Sequence, residues 1–148
     1  MSEISTVDRA ERLGRRRARI LPFLAVVYIS QQATFFATPD SGRTVDHVKI
    51  SAWLVLSLVL LLALATGGGW LQSKEIRALM NDEVTQANRA RAMTMGFLFA
   101  MVSGMALYFL YQFEQFTARE AIHLILSLGL GAALVRFGML ERRAHRVG

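Results

Sequence analysis

The stretch that decides the fold is residues 81–113, NDEVTQANRARAMTMGFLFAMVSGMALYFLYQF. Its first turns are polar and charged and the rest is apolar, which is typical of a helix that begins in water and continues in lipid. Small residues recur at every fourth position of the apolar part, at Ala92, Gly96, Ala100 and Gly104. Because small side chains let another helix approach closely, we expect this row to be a helix-packing surface.

The charged residues of the chain avoid four long apolar blocks. Apolar residues make up 53% of the sequence and charged residues 19%. Blocks of about 18 or more apolar residues indicate membrane-spanning helices. The sequence therefore predicts an all-α membrane protein with one transmembrane domain, residues 20–140, folded as an antiparallel up-down bundle of four helices. The predicted spans are residues 20–38, 48–71, 92–113 and 118–140.

Polar segments flank these spans. Residues 1–19 form a basic N-terminal segment, either an amphipathic helix on the membrane face or a solvated tail. Pro22 is expected in the first turn of the first span, where its missing N–H costs little. Residues 72–91 form the largest loop and residues 141–148 a tail. A helix over residues 81–113 would be about 50 Å long, which exceeds the bilayer core of about 30 Å, so it should project into the cytoplasm.

The basic residues set the predicted orientation. Of the 17 Lys and Arg residues, six lie in residues 1–19, four in residues 72–91 and four in residues 136–148. The two remaining loops hold three. The positive-inside rule then places both termini in the cytoplasm. The short loops and the lack of an organelle-targeting segment favour the bacterial inner membrane.

The fourth predicted span has a small-residue face of its own. Gly129, Gly131 and Ala133 lie close together on it. This face is a natural partner for the row in the third span, and the two helices are expected to cross with a right-handed geometry.

The first predicted span carries the most polar face, with Tyr28, Gln31, Gln32 and Thr34. A glutamine that faced lipid would leave its amide without a partner, so this face should point into the bundle. Two interpretations stay open. These side chains either bond neighbouring helices, or they line a small polar cavity such as the path of a transporter or channel.

The polar start of the long helix is a candidate docking surface. It mixes acids, amides and an arginine: Asp82, Glu83, Thr85, Asn88 and Arg89. One interpretation is helix capping with pairing between surface side chains. The other is a surface that binds a soluble protein or a neighbouring subunit.

Part of this helix also carries a family resemblance, on Asn81-Asp82-Glu83-x-Thr85 followed by Asn88-Arg89, Ala92 and Gly96. The segment resembles a pattern in small, uncharacterised bacterial inner-membrane proteins, some of which are paired with small helix-turn-helix regulators. The resemblance is confined to this segment. It implies a membrane protein of a family without a known function, and it transfers no active site.

The sequence offers little for catalysis. His47 and His123 fall near the same predicted outer face, so a two-histidine metal or haem site is the least favoured alternative. There is no cysteine, and no nucleophile–base, nucleotide or phosphotransfer motif. We therefore expect no enzyme activity, no cofactor and no nucleic acid binding. The expected partners are the lipid bilayer and a second copy or another membrane or cytoplasmic protein, and the expected role is structural or regulatory.

Overall fold

The described part of the chain folds into five α-helices. The computed structural model describes residues 3–37, 44–67, 74–80 and 82–147, and within these ranges every regular element is helical. This confirms the prediction of an all-α chain. The helices are α1 (Glu3–Ala37), α2 (Thr44–Thr66), α3 (Lys74–Met80), α4 (Glu83–Leu110) and α5 (Ala118–Val147).

Three of these helices are long and apolar enough to cross a membrane. They contain the segments His47–Thr66, Glu83–Leu110 and Ala118–Ala144. Their length and composition support the prediction of a membrane protein with transmembrane helices. The first predicted span, residues 20–38, overlaps α1 up to Ala37, and that α1 crosses a membrane stays a prediction.

Helix α1 continues through Pro22 without a break. The prediction that Pro22 lies in a first turn is wrong, because the helix begins at Glu3. A proline inside a helix cannot bond the carbonyl four residues earlier, which here belongs to Ala18. Arg142 of α5 donates its Nε–H to that carbonyl oxygen at 3.1 Å. The proline ring fits against Gly138, where an added Cβ would lie 2.6 Å from the Pro22 Cγ atom.

Helices α4 and α5 form the most extensive helix pair, and they meet at the predicted small residues. A Cβ atom added to Gly96 would lie 2.7 Å from the Gly129 carbonyl oxygen and 2.8 Å from the Ala133 Cβ atom. A Cβ atom added to Gly129 would lie 3.0 Å from the Ala100 Cβ atom. At Gly104 the nearest atom would be 3.7 Å away, which is ordinary contact. The close approach is therefore concentrated around Gly96.

Helix α5 lies between α1 and α4, which are its two main partners. Gly131, predicted on the face toward α4, instead faces α1, where an added Cβ would lie 3.1 Å from Ile29. Helix α3 packs against α1, while α2 makes fewer contacts with α5. The buried core of the bundle contains Leu21, Ala25, Tyr28, Leu60, Leu64, Ala92, Ala133, Leu134 and Phe137.

Helical structure continues beyond the predicted limits of the spans. Helix α1 includes most of the basic N-terminal segment, and α5 continues to Val147 instead of ending near residue 140. The first turns of α4 lie beside the last turns of α5, since Asn88 donates to Glu141. The start of α4, expected to project as a single helix, is therefore packed against a neighbour.

Candidate functional site: two buried polar clusters

A charged cluster joins four helices at one end of the bundle. It consists of Arg17 on α1, Thr85 and Asn88 on α4, Glu141 on α5, and the carbonyl of Gly67 at the end of α2. Arg17 and Glu141 form an ion pair in which the side chains are 11% and 1% exposed. The pair is therefore shielded from water and is not comparable with a surface salt bridge.

The other members of the charged cluster form hydrogen bonds with Arg17 and Glu141. Arg17 donates to the Gly67 carbonyl at 2.9 Å and to the Thr85 hydroxyl at 3.3 Å. Asn88 donates to the second carboxylate oxygen of Glu141 at 3.2 Å. Arg17 also lies over the Phe137 ring, 5.5 Å from its centroid. Partners for both charges are what makes burial of an ion pair tolerable.

Gly67 has the backbone conformation that this arrangement uses. It follows the last residue of α2 and has a φ of 74°, the left-handed conformation that commonly ends a helix and favours glycine. Its carbonyl accepts from Arg17, so the end of α2 is tied to α1.

The predicted docking surface is divided by the structure. Thr85 and Asn88 are buried inside the charged cluster, with 7% and 6% exposure, so their prediction as exposed docking residues is wrong. Asp82 is the N-cap of α4 and accepts from the Thr85 backbone N–H at 2.8 Å. Glu83 is exposed and Arg89 half-buried.

A second group, the histidine cluster, lies farther along α1 and α5. It consists of Tyr28 and Gln32 on α1, Trp53 and Ser57 on α2, and His123 and Ser127 on α5. Gln32 is hydrogen-bonded to the His123 ring and accepts from the Ser127 hydroxyl at 3.0 Å. Tyr28, which is 1% exposed, shares a hydrogen bond of 2.9 Å with Ser57.

The amide of Gln32 sets the proton positions in the histidine cluster. Its Nε2 donates to the Tyr28 backbone carbonyl at 2.8 Å, and a carbonyl can only accept. The Gln32 Oε1 atom therefore faces α5, where it can only accept. The hydroxyl of Ser127 and the Nε2 atom of His123 must then both be donors.

Trp53 covers the other side of the histidine ring. Its indole stacks on His123 with the ring centroids 4.1 Å apart. Within the part of the chain that the structure describes, the buried Nε1 atom of Trp53 has no hydrogen-bond partner. His123 is thus enclosed between α1 and α2 and is 4% exposed.

The other polar residues predicted in this region lie elsewhere. Gln31 is exposed on the outside of α1 and does not share the inward face of Gln32. The side chain of Thr34 lies outside the described residues. His47 is exposed on α2, whereas the contacts of His123 are with Trp53 and Gln32. In the described ranges no three His, Cys, Asp or Glu side chains come together as a metal site would require.

Sequence reasoning missed Arg17 and Glu141, although a signal for both was present. On α5 the buried residues Leu134, Phe137 and Glu141 are three and four apart, so the acid continues the core stripe by one more turn. Arg17 occupies a similar place on α1, four residues before the buried Leu21.

The two clusters are suited to holding helices in register. Most of their polar groups form hydrogen bonds with one another across helices, so the charged and amide groups already have partners within the chain.

No family model, no curated protein and no solved structure matches the chain.

Proposed function

We propose that this chain is a four-span protein of the bacterial inner membrane, with both termini in the cytoplasm, that acts by associating with a second copy rather than by catalysis. The resemblance noted at residues 81–96 agrees with such a setting. The observation that carries the proposal is the contrast between the two faces of α4, described below.

Several features support four antiparallel spans. Contacts between α1 and α5 pair Arg17 with Glu141 and Gln32 with Ser127, so residue numbers rise on one helix as they fall on the other. The apolar half of α1 exposes Phe23, at 67%, on the side away from the bundle. An apolar surface of this kind on a helix requires lipid or another protein to cover it.

The orientation rests on charge. Arginine and lysine are concentrated in the segments that would face the cytoplasm, as the positive-inside rule requires. A C-terminal reporter that is active only in the cytoplasm should therefore be active when fused after residue 148. Activity of a periplasmic reporter at that position would contradict the orientation.

The two faces of α4 differ in what they contact. Its small-residue row is occupied by α5, and α5 is its main partner within the chain. Its other face carries large exposed apolar side chains, including Phe97, Met101 and Met105. Methionine and aromatic side chains adapt well to an opposing protein surface. A second copy that presents the same face would form a symmetric interface with α4 at its centre.

Cysteine cross-linking provides a direct test, since the natural chain contains no cysteine. Met101→Cys and Met105→Cys place thiols on the open face of α4. Leu58→Cys is the matched control, because Leu58 is equally apolar and exposed on α2. Oxidation in membranes should give a disulfide-linked dimer from the α4 variants and none from the control. Equal cross-linking, or none, would refute self-association through α4, and adducts of another mass would indicate a different protein.

The histidine cluster favours a second candidate function, proton or small-solute passage in a transporter or channel. It places a titratable ring, an amide and a hydroxyl together within the proposed spans, and polar groups at that depth often mark the path of a solute or ion. Proteoliposomes with a pH gradient would test it. Flux that is lost on His123→Phe but kept on His47→Phe would support passage, and flux unaffected by either would exclude the cluster as its path.

A metal or haem site on these histidines is the third candidate, and a visible spectrum with metal analysis tests it.

A further inference from the structure

Among the arginines of α1 whose side chains the structure describes, one is turned into the bundle and four face outward. Arg17 turns into the bundle and pairs with Glu141. The outward group lines an open surface cavity of about 390 Å³, and its members are Arg12, Arg15, Arg16 and Arg19. This group, the arginine patch, contains one internal ion pair, since Arg15 bonds Glu11 at 2.7 Å. The four arginines and the Glu11 carboxylate together leave the patch with a net charge of about +3.

The arginine patch is continuous with an apolar surface on the same side of α1. At about 100° per residue, Arg12, Arg16, Arg19 and Phe23 fall within about 60° of arc. Phe23 is 67% exposed, and Val26 and Val27 beyond it are exposed as well. The outward side of α1 thus changes from basic to apolar within one turn. A ligand that fits this surface has an anionic head and a hydrocarbon tail.

The distances agree with a lipid in a bilayer. Taking Ile20 as the start of the apolar part, Arg19 to Arg15 lie about 2–8 Å outside it at about 1.5 Å per residue. The headgroup layer on each side of a membrane is about 5–8 Å thick. The guanidinium groups of Arg15, Arg16 and Arg19 are then at the level of the lipid phosphates. Arg12 lies about 12 Å outside Ile20, and its long, flexible side chain can reach toward the same layer.

We propose that the arginine patch is a binding site for an anionic phospholipid, whose phosphate contacts the arginines while an acyl chain lies along Phe23 and Val27. Planar guanidinium groups bind phosphate through paired N–H donors. In a zwitterionic lipid the positive ammonium group repels the arginines and weakens this attraction, so an anionic lipid is preferred. This inference rests on the proposed placement of the chain in a membrane. It adds a preferred lipid, which membrane insertion alone does not require.

The test uses the full chain in nanodiscs of phosphatidylcholine with increasing phosphatidylglycerol of the same acyl chains. Thermal unfolding reports binding as a rise in melting temperature with the anionic fraction. The test variant is the triple replacement Arg12→Gln, Arg16→Gln, Arg19→Gln. The control triple, Arg91→Gln, Arg119→Gln, Arg143→Gln, removes the same charge from exposed arginines elsewhere. Soluble glycerol phosphate, added to discs of pure phosphatidylcholine, tests whether the phosphate group stabilises the protein without an acyl chain.

Each arginine lost from the patch should raise the half-saturating phosphatidylglycerol fraction by about fivefold, so the test variant should show almost no rise in melting temperature. The control triple should keep most of the rise. A variant with lysine at the three patch positions should keep part of it, because the charge remains and the paired N–H donors are lost. Glycerol phosphate should have little effect, because it lacks the acyl chain. Equal loss in test and control variants, no preference for phosphatidylglycerol, or full stabilisation by glycerol phosphate would overturn the lipid site.

Alkaline carbonate extraction keeps this result separate from the membrane proposal. Wild-type chain and the test variant should both stay in the membrane pellet. A chain that remains in the pellet but shows no lipid preference overturns the lipid site alone. A wild-type chain that carbonate releases would overturn the four-span proposal and this site with it.

Discussion

Replacing Glu141 by leucine should destabilise the folded chain strongly. The replacement removes the counter-charge of Arg17, which is only 11% exposed, and the acceptor of the Asn88 amide. Removing one partner of a buried ion pair typically costs about 3–5 kcal/mol, because the other charge remains away from water. We expect Glu141→Leu to lower the free energy of unfolding by that amount.

Removing both charges of the Arg17–Glu141 pair should lower the free energy of unfolding by less than removing Glu141 alone. In the double variant Arg17→Met, Glu141→Leu no uncompensated charge remains. The Asn88 amide loses its acceptor in the single and the double variant alike. The double variant also takes away the donor of the Gly67 carbonyl, at about 1–3 kcal/mol, which is less than the roughly 3–5 kcal/mol of an unpaired buried charge. Replacement of a whole ion pair by apolar residues of similar volume is often neutral, so the double variant should be more stable than Glu141→Leu.

Unfolding in mild detergent, followed by tryptophan fluorescence, measures these differences. The exposed pair of Glu11 and Arg15 serves as the control, since both side chains are 59% exposed and such pairs contribute about 0–1 kcal/mol. Glu11→Leu should therefore be nearly silent. If Glu141→Leu were no worse than Glu11→Leu, or if the double variant lost the sum of its two single variants, the reasoning about the charged cluster would be refuted.

Three further predictions use the same unfolding measurement. Gly96→Ala should cost about 1–3 kcal/mol, because its new methyl group would be forced against a carbonyl oxygen 2.7 Å away, whereas Gly104→Ala should be almost neutral. Arg142→Gln should lower the free energy of unfolding by about 0.5–1.5 kcal/mol in the wild-type chain, because the Ala18 carbonyl loses its donor. In a chain that already carries Pro22→Ala the same replacement should have almost no effect, since the alanine N–H can bond that carbonyl. Tyr28→Phe should cost about 1 kcal/mol, because a hydrogen bond of 2.9 Å is lost in the core.

The controls for these variants are also available in the chain. Tyr108 is 79% exposed, so Tyr108→Phe should leave stability unchanged. Arg143→Gln is the neighbour control for the arginine variant. Equal effects of the two glycine variants would contradict the close approach of α4 and α5. If Arg142→Gln lowered the free energy of unfolding equally with and without Pro22, the bond from Arg142 to Ala18 would not be a replacement for the helix hydrogen bond that the proline cannot make.

The sequence predicted the parts of the fold that depend on composition and spacing. Long uncharged blocks are sufficient to predict α2, α4 and α5, because the backbone in lipid must be helical. The pairing of Gly96 with the small face of α5 was also predictable, since close approach needs small residues at a fixed spacing on both helices. The tyrosine and one of the glutamines on α1 were correctly expected to face inward.

The polar clusters were harder to predict, because they depend on which helix ends where. Drawing a span boundary at the first charges placed Arg17 and Glu141 in solvated segments, although both continue the buried stripes of their helices. Gln31 and Gln32 differ by one residue, or about 100° on a helix. Only the positions of the neighbouring helices decide which of them is inside. The burial of Thr85 and Asn88 likewise follows from the length of α5, which polarity alone did not reveal.

The bond between Arg142 and Ala18 has a consequence for biosynthesis. The Ala18 carbonyl, which Pro22 cannot bond, accepts its hydrogen bond from Arg142, which lies 124 positions later in the chain. During translation, one turn of α1 must therefore stay open to water or to lipid headgroups until α5 has been made and has docked. Assembly of α1 would then be completed only after α5 is in place, so chains that lack α5 would differ from chains that contain it in this exposed carbonyl.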